Sequence, residues 1–174
     1  MIKDVKIYNI LISCASDIKE ELDVIYDVVK YYNQTTGYTN FIKLNLMSWM
    51  EDSYPLYGAD PQEILFEQFI NDCDFAIAIF WTKFGSSTAN FQSGVQEEIE
   101  NFYLNSKNVI IFFSDCPISP SKIEIPQLEK VRNYKREIEE KRKGLYYTYE
   151  NLKDFECKLK YSIYMYMKKE YGCG

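Results

Sequence analysis

The sequence contains no histidine, and its five cysteines are scattered without CxxC spacing. Zinc sites and Cys–His or Ser–His catalysis depend on these residues, so we expect no metal site and neither of these catalytic arrangements. No apolar run is long enough to span a bilayer, and we expect no signal peptide. The odd number of cysteines favours a reducing compartment, so we expect a cytoplasmic protein without membrane contact.

The sequence also has fewer basic than acidic residues: it contains 20 Lys and Arg and 26 Asp and Glu, which gives a net charge of −6. An acidic chain is poorly suited to a DNA duplex, so we expect no duplex nucleic acid as a partner. The single basic run, Lys141-Arg142-Lys143, is expected to complement the carbonyl end of a helix that Gly144 terminates. The length of 174 residues predicts a single domain over residues 1–174.

Apolar strand patterns alternate with helical patterns along the chain. The predicted strands run over Lys6 to Ser13, Phe41 to Trp49, Phe75 to Trp81, Val109 to Phe113 and Leu145 to Tyr149. The near-continuous apolarity of the third strand is typical of a parallel sheet covered on both faces. We therefore predict an α/β, flavodoxin-like open parallel sheet of about five strands in the order 2-1-3-4-5, with helices on both faces.

The predicted helices begin at capping signals, of which the clearest is Asp60 followed by Pro61. Ser16 is the expected cap of the first helix, which Gly37 interrupts. Asn151 is the expected cap of the last helix.

The stretch from residue 74 to residue 100 (DFAIAIFWTKFGSSTANFQSGVQEEIE) predicts a buried strand, a polar loop and a helix that opens at Ser93. In open α/β sheets, ligands bind beyond the carboxyl ends of the strands where the strand order reverses, here between strands one and three. The predicted helix brings Glu98 to that edge.

A helical wheel separates the glutamates of this helix. Glu98 lies roughly 85° from the centre of the apolar stripe, Glu100 roughly 115° and Glu97 roughly 175°. Glu98 is thus the glutamate best placed to line a crevice, and Glu97 is expected to face solvent. The alternative is that these residues only complement the helix dipole, together with a capping box from Ser93 to Gln96.

Other residues are predicted at the same edge. Trp49 and Trp81 end strands two and three, where they either stack on a flat ring or fill the core. The segment Ser13-Cys14-Ala15-Ser16 follows strand one and either presents donors to a phosphate or caps the helix. Gly85 belongs to no Walker or GxGxxG spacing, so nucleoside triphosphate chemistry is not indicated.

These segments together resemble a known family. LISCAS after strand one is similar to the opening of Toll/interleukin-1 receptor (TIR) domains, and DFAIAIFWTKFGSST resembles the bacterial TIR-like branch. SGVQEE resembles the SGTxxE segment of nucleoside 2-deoxyribosyltransferases, whose final glutamate attacks the sugar. This alignment matches that glutamate with Glu98 and places Val95 where threonine is usual.

The resemblance implies an NAD+ nucleosidase that cleaves the nicotinamide–ribose bond, with NAD+ as substrate and no cofactor. It implies that Glu98 stabilises or attacks the ribose. It also implies a set of substrate-binding residues that flank the phosphates, the ribose or the base, or that position the loop. These residues are Ser13, Cys14, Ser16, Trp49, Trp81, Lys83, Phe84 and Ser93. It further implies a homo-oligomer with TIR–TIR contacts and a role in anti-phage defence.

Two alternatives stay open. The first is a non-enzymatic TIR scaffold that self-associates through the loops at residues 51–60 and 82–92. The second is a nucleoside deoxyribosyltransferase, although Asn90-Phe91-Gln92 lacks the aspartate common before this serine in that group.

Overall fold

The computed structural model describes residues 4–48 and 69–172 as a parallel five-stranded sheet. The strands are β1 (Lys6–Cys14), β2 (Ile42–Met47), β3 (Phe75–Phe80), β4 (Asn108–Ser114) and β5 (Tyr146–Tyr149). Their order is β2-β1-β3-β4-β5, and all neighbouring strands are parallel. This confirms the predicted flavodoxin-like order, with the reversal between β1 and β3.

Helices pack on both faces of the sheet. The long helices of the described part are α1 (Glu20–Tyr32), α2 (Gly94–Leu104), α3 (Ile125–Glu140) and α4 (Leu152–Tyr171). None of them combines the length and apolarity required for a membrane span. Trp49, the loop at residues 51–60 and the helix expected to open at Asp60 lie outside the described residues.

The alternation of β3 divides the core between the two faces. Phe75, Ile77 and Ile79 belong to the cluster that includes α1 and α4. Ala76, Ala78 and Phe80 pack with side chains of α2 and α3. Because successive strand residues point to opposite faces, a strand buried on both sides must be apolar throughout, and every residue of β3 is buried.

Two of the expected helix caps form, and one does not. The Asn151 side chain accepts a hydrogen bond from the Asp154 N–H at 2.9 Å, which confirms the predicted start of α4. Ser93 likewise caps α2. The predicted Ser16 cap is wrong, because Ser16 lies in an exposed turn and α1 begins only at Glu20, after an N-cap Lys19 whose side chain makes no capping bond.

The expected interruption at Gly37 is also wrong. The chain continues from α1 through a π-helical turn, Asn33–Gly37, and a short helical turn, Tyr38–Asn40. It reverses at Phe41, which adopts a left-handed conformation with φ 57°. Gly37 itself is helical, and glycine is required there because a Cβ would lie 2.6 Å from the Ile42 carbonyl oxygen.

The end of α3 differs from the prediction as well. The left-handed residue after the helix is Arg142, with φ 50°, and not Gly144. The Lys143 ammonium extends to α2, where it pairs with the Glu100 carboxylate at 2.6 Å. The basic run therefore links two neighbouring helices in addition to closing one of them.

Candidate active site

A serine and a glutamate meet at the carboxyl edge of the sheet. Ser13 lies near the end of β1, and its hydroxyl donates a hydrogen bond to Oε2 of Glu98 on α2. Ser13 is buried on the face of β1 that α2 covers, because Leu11, two residues earlier on the same face, belongs to the same buried cluster as Phe102 of α2. The pair thus lies at the β1–β3 switch point, where open α/β sheets bind ligands.

The environment of Glu98 changes its proton affinity. Burial raises the pKa of the Glu98 carboxyl from 4.5 to about 7, while the Ser13 hydrogen bond lowers it and the charge of Glu97 raises it. Burial is the largest of these effects. Part of the residue's surface still reaches solvent, although the carboxylate itself is largely desolvated. A carboxyl that titrates near neutrality is a characteristic of functional sites.

The loop between β3 and α2 is tied to the start of the helix. The Ser93 hydroxyl donates to the Phe84 carbonyl and accepts from the N–H groups of Val95 and Gln96 at 3.1 and 3.4 Å. Gly85 adopts φ 95°, a conformation that L side chains rarely adopt. These contacts fix the first turn of α2 and hence the base of the helix that carries Glu98.

Asp17 joins the two loops that border this edge, and sequence analysis missed it. Its Oδ2 atom accepts hydrogen bonds from the Thr82 N–H at 2.8 Å, the Thr82 hydroxyl at 3.0 Å and the Lys83 N–H at 2.9 Å. The only available signal was an acidic residue directly after the Ser13–Ser16 segment. Its partners lie 65 and 66 residues away, so the contact required the tertiary structure.

Cys14 faces away from the Ser13–Glu98 pair, toward the cluster of α1 and α4. Burial, together with the smaller effects of the charges of Glu98, Asp17 and Glu21, raises the pKa of its thiol to about 12. The thiol is therefore protonated at neutral pH and is not a nucleophile.

The remaining residues of the expected site have separate positions. Phe84 is 1% exposed, with its ring centroid 5.6 Å from Phe80 and 5.3 Å from Tyr134, so its ring belongs to the core. The Lys83 ammonium pairs with Glu124 at 2.8 Å. These side chains are not gathered around Glu98. Trp49 lies outside the described residues, and Ser16 is exposed in its turn.

Trp81 packs against the cluster of α1 and α4, and its indole N–H donates to the Cys116 carbonyl at 3.1 Å. Of the two interpretations weighed for this residue, these contacts favour the ordinary one, an aromatic that seals the edge of the core.

The expectation that Glu97 faces solvent is wrong. Glu97 is half-buried, and its Oε2 atom is buried without a hydrogen-bond donor from the described part of the chain. A helical wheel shows which side of a helix faces the sheet. It does not show whether loops pack against the other sides of the helix. Here the loop does return to the first turn, since the Gly94 N–H donates to the Ser86 carbonyl at 3.1 Å.

A second buried carboxylate lies on the other face of the same edge. Glu21, in the first turn of α1, accepts a hydrogen bond from the Tyr149 hydroxyl at 2.7 Å. Both residues are buried, and burial raises the pKa of Tyr149. The described side chains nevertheless bring together no group of three potential metal ligands.

A cavity of about 650 Å³ lies at the opposite edge of the sheet. Val5, Phe41 and Lys43 line it near the amino ends of β1 and β2, together with residues of the turn after α1. It is distant along the strands from Ser13 and Glu98, and its lining is mainly apolar. None of its described lining residues carries a carboxylate.

Comparison with known proteins identifies a family. DUF4062, described as a domain of unknown function, matches residues 9–164. The structure of Clostridium botulinum CMP N-glycosidase, BcmB, is similar over 87% of this chain and 97% of that chain, with 17% sequence identity and a TM-score of 0.40. That likeness carries nothing about substrate or mechanism. No curated protein matches the sequence. The matching family is not the TIR family, and the chain belongs to the DUF4062 family.

Proposed function

We propose that this protein hydrolyses the bond between nicotinamide and ribose in NAD+, with Glu98 as the catalytic carboxylate. The observation that carries the proposal is the desolvated Glu98 side chain, held by the Ser13 hydroxyl at the β1–β3 switch point. The resemblance of SGVQEE to the SGTxxE segment of deoxyribosyltransferases independently assigns sugar chemistry to the same residue.

The chemistry suits a carboxylate in this position. Cleavage passes through an oxocarbenium-like transition state, in which positive charge develops at the anomeric carbon. An ionised Glu98 beside that carbon stabilises the charge or bonds to it briefly. The bond to the anomeric carbon breaks with its electron pair moving to the ring nitrogen, so the cationic nicotinamide leaves as a neutral molecule. Water then adds to the anomeric carbon, which gives ADP-ribose and a proton.

This reaction does not require an acid that protonates the leaving group, because the ring nitrogen of NAD+ is already cationic. A chain without histidine can therefore carry it out. Neutral bases, by contrast, leave more readily when a general acid protonates them. The proposal thus favours NAD+ over ordinary nucleosides as the substrate.

Ser13 has a defined role in this proposal. Its hydroxyl engages Oε2 of Glu98, so that Oε1 is not committed to that bond. The bond also stabilises the ionised form of the carboxylate, because it lowers the pKa that burial has raised. Ser93 contributes indirectly, because its hydrogen bonds fix the start of the helix that carries Glu98.

The test is an assay of purified protein with NAD+, with products resolved by chromatography. Glu98→Gln keeps the shape of the side chain and removes its charge, so we expect release of nicotinamide to fall by about 100-fold or more. The matched control is Glu100→Gln on the same helix, which removes only an ion pair with Lys143 and should retain activity. Equal activity of wild-type protein and Glu98→Gln would remove Glu98 from the mechanism.

Parallel incubations with deoxynucleosides and with CMP test other substrates. Base exchange between deoxynucleosides would support the deoxyribosyltransferase alternative, and release of cytosine from CMP would assign a different glycosidic substrate. A protein that binds NAD+ and cleaves none of these compounds would favour the scaffold alternative.

The proposal extends to assembly and biological role. By resemblance to TIR-like NADases, we propose that subunits associate into a homo-oligomer and that NAD+ depletion serves anti-phage defence. The assay is therefore run over a range of protein concentrations with mass measured by light scattering. Specific activity that rises with the oligomeric fraction would support activation by assembly, and constant specific activity would contradict it.

A further inference from the structure

Asp17 completes a closed series of contacts around the Ser13–Glu98 pair. Its carboxylate holds the start of the β3–α2 loop through Thr82 and Lys83, and Ser93 holds the end of that loop. The helix that Ser93 caps returns to β1 through Glu98 and Ser13. Ser13 lies in β1 and Asp17 lies in the turn that follows it, so a short stretch of chain positions both carboxylates at one edge of the sheet.

Only one carboxylate oxygen of Asp17, Oδ2, accepts hydrogen bonds from the loop. Oδ2 accepts all three of these bonds, whereas Oδ1 is buried and has no hydrogen-bond donor among the residues that the structure describes. Buried carboxylate oxygens without a donor are rare because desolvating them is unfavourable. An anchor for the loop does not need this second oxygen, so its arrangement points to a donor that arrives with a ligand.

Asp17 and Glu98 border the same edge of the sheet. Asp17 follows shortly after Ser13, whose hydroxyl holds Glu98, and the loop that Asp17 anchors leads into the helix that carries Glu98. A ligand that places its anomeric carbon against Glu98 would therefore bring its sugar close to Asp17. A metal ion is a poorer match, because the described residues bring together no group of three suitable ligands and hard cations take several oxygens.

We infer that Asp17 is a specificity-determining residue, whose Oδ1 accepts a hydrogen bond from a hydroxyl of the ribose that Glu98 attacks. This inference rests on the proposed function for the identity of the sugar. It makes Asp17 the residue that distinguishes ribosyl from deoxyribosyl ligands, while Oδ2 keeps the loop in place. Because Oδ1 is closed to water in the free protein, the groups that cover it shift when the sugar enters, while the hydrogen bonds to Oδ2 persist.

The experiment measures binding by calorimetry, so that it does not depend on turnover. The ligands are ADP-ribose and its 2′-deoxy and 3′-deoxy forms, altered in the terminal ribose. Asp17→Asn keeps a carbonyl oxygen for the loop and replaces the free acceptor with an NH2 group. We expect it to bind ADP-ribose about 10- to 100-fold more weakly than wild-type protein does. For one of the two deoxy ligands, the difference between wild type and variant should disappear.

Thr82→Val is the matched control, since it removes one hydrogen bond to Oδ2 and leaves Oδ1 unchanged. It should lower the melting temperature while preserving the ratio of affinities for ADP-ribose and the deoxy ligands. The discrimination by wild-type protein requires no variant to fold, and equal binding of all three ligands would overturn the inference. Equal weakening of all three by Asp17→Asn would overturn it too, because that pattern describes a loop anchor alone.

The two measurements distinguish failure of the proposed reaction from failure of the Asp17 assignment. Asp17-dependent discrimination without nicotinamide release by wild-type protein would remove the proposed reaction and retain the Asp17 assignment. Nicotinamide release with no discrimination would retain the reaction and remove the assignment. A wild-type protein that binds no ribosyl ligand would overturn both.

Discussion

Two neighbouring residues shift the pKa of Glu98 in opposite directions. Burial raises its pKa to about 7, the Ser13 hydroxyl lowers it, and the charge of Glu97 raises it. Only the ionised form stabilises an oxocarbenium ion, so this balance sets the pH at which the proposed site becomes active. Activity should rise with pH as Glu98 loses its proton.

The pair of neighbours gives a prediction at the residue scale. Ser13→Ala should move the midpoint of the pH–activity profile upward, because the ionised carboxylate loses its hydrogen bond. Glu97→Gln should move the midpoint downward, because a repelling charge is removed. The profile of nicotinamide release against pH measures both shifts, and movement of the two midpoints in the same direction would contradict this account of Glu98.

At the scale of elements, the Tyr149–Glu21 bond connects the end of β5 to the start of α1 across one face of the sheet. Tyr149→Phe leaves the buried Glu21 carboxylate without this donor, so we expect it to destabilise the fold by about 1–3 kcal/mol. Urea unfolding measures the loss. Tyr147→Phe on the same strand is the control, because Tyr147 is 39% exposed and should change stability little. Equal effects of the two variants would show that the Tyr149 hydroxyl has no special role.

The elements also show what the sequence could and could not predict. The central, doubly covered position of β3 could be predicted from residues 75–80, because a strand buried on both faces is apolar throughout. The strand order was predicted from the alternation of strand and helix patterns. Gly37 was misinterpreted because a glycine that breaks a helix and one that admits a close carbonyl oxygen look the same in sequence. Contacts between loops, such as Asp17 with Thr82, have no local pattern at all.

At the scale of the whole molecule, Glu98 links the proposed site to stability. Its pKa is raised on folding from 4.5 to about 7, so the folded state binds more protons than the unfolded chain between these values. Stability from this group is fully present below pH 4.5 and is lost as the pH rises through about 7. A desolvated carboxylate is thus maintained at neutral pH at the expense of the fold.

This linkage predicts that Glu98→Gln is more stable than wild-type protein at pH 8 and comparable at pH 4. The upper limit of the difference is roughly 3 kcal/mol, which corresponds to the full pKa shift. Urea unfolding at the two pH values measures it, and Glu100→Gln should show no such increase with pH. A Glu98→Gln protein that is less stable than wild type at pH 8 would contradict the desolvation of Glu98.

The most direct measurement is the rate of nicotinamide release from NAD+ by wild-type protein between pH 5 and pH 9, with Glu98→Gln at each pH as the reference. We expect a wild-type rate that rises through a midpoint near the pKa of about 7 and a Glu98→Gln rate that stays at background. Wild-type release that is independent of pH across this range, or that persists in Glu98→Gln, would contradict the catalytic assignment of Glu98.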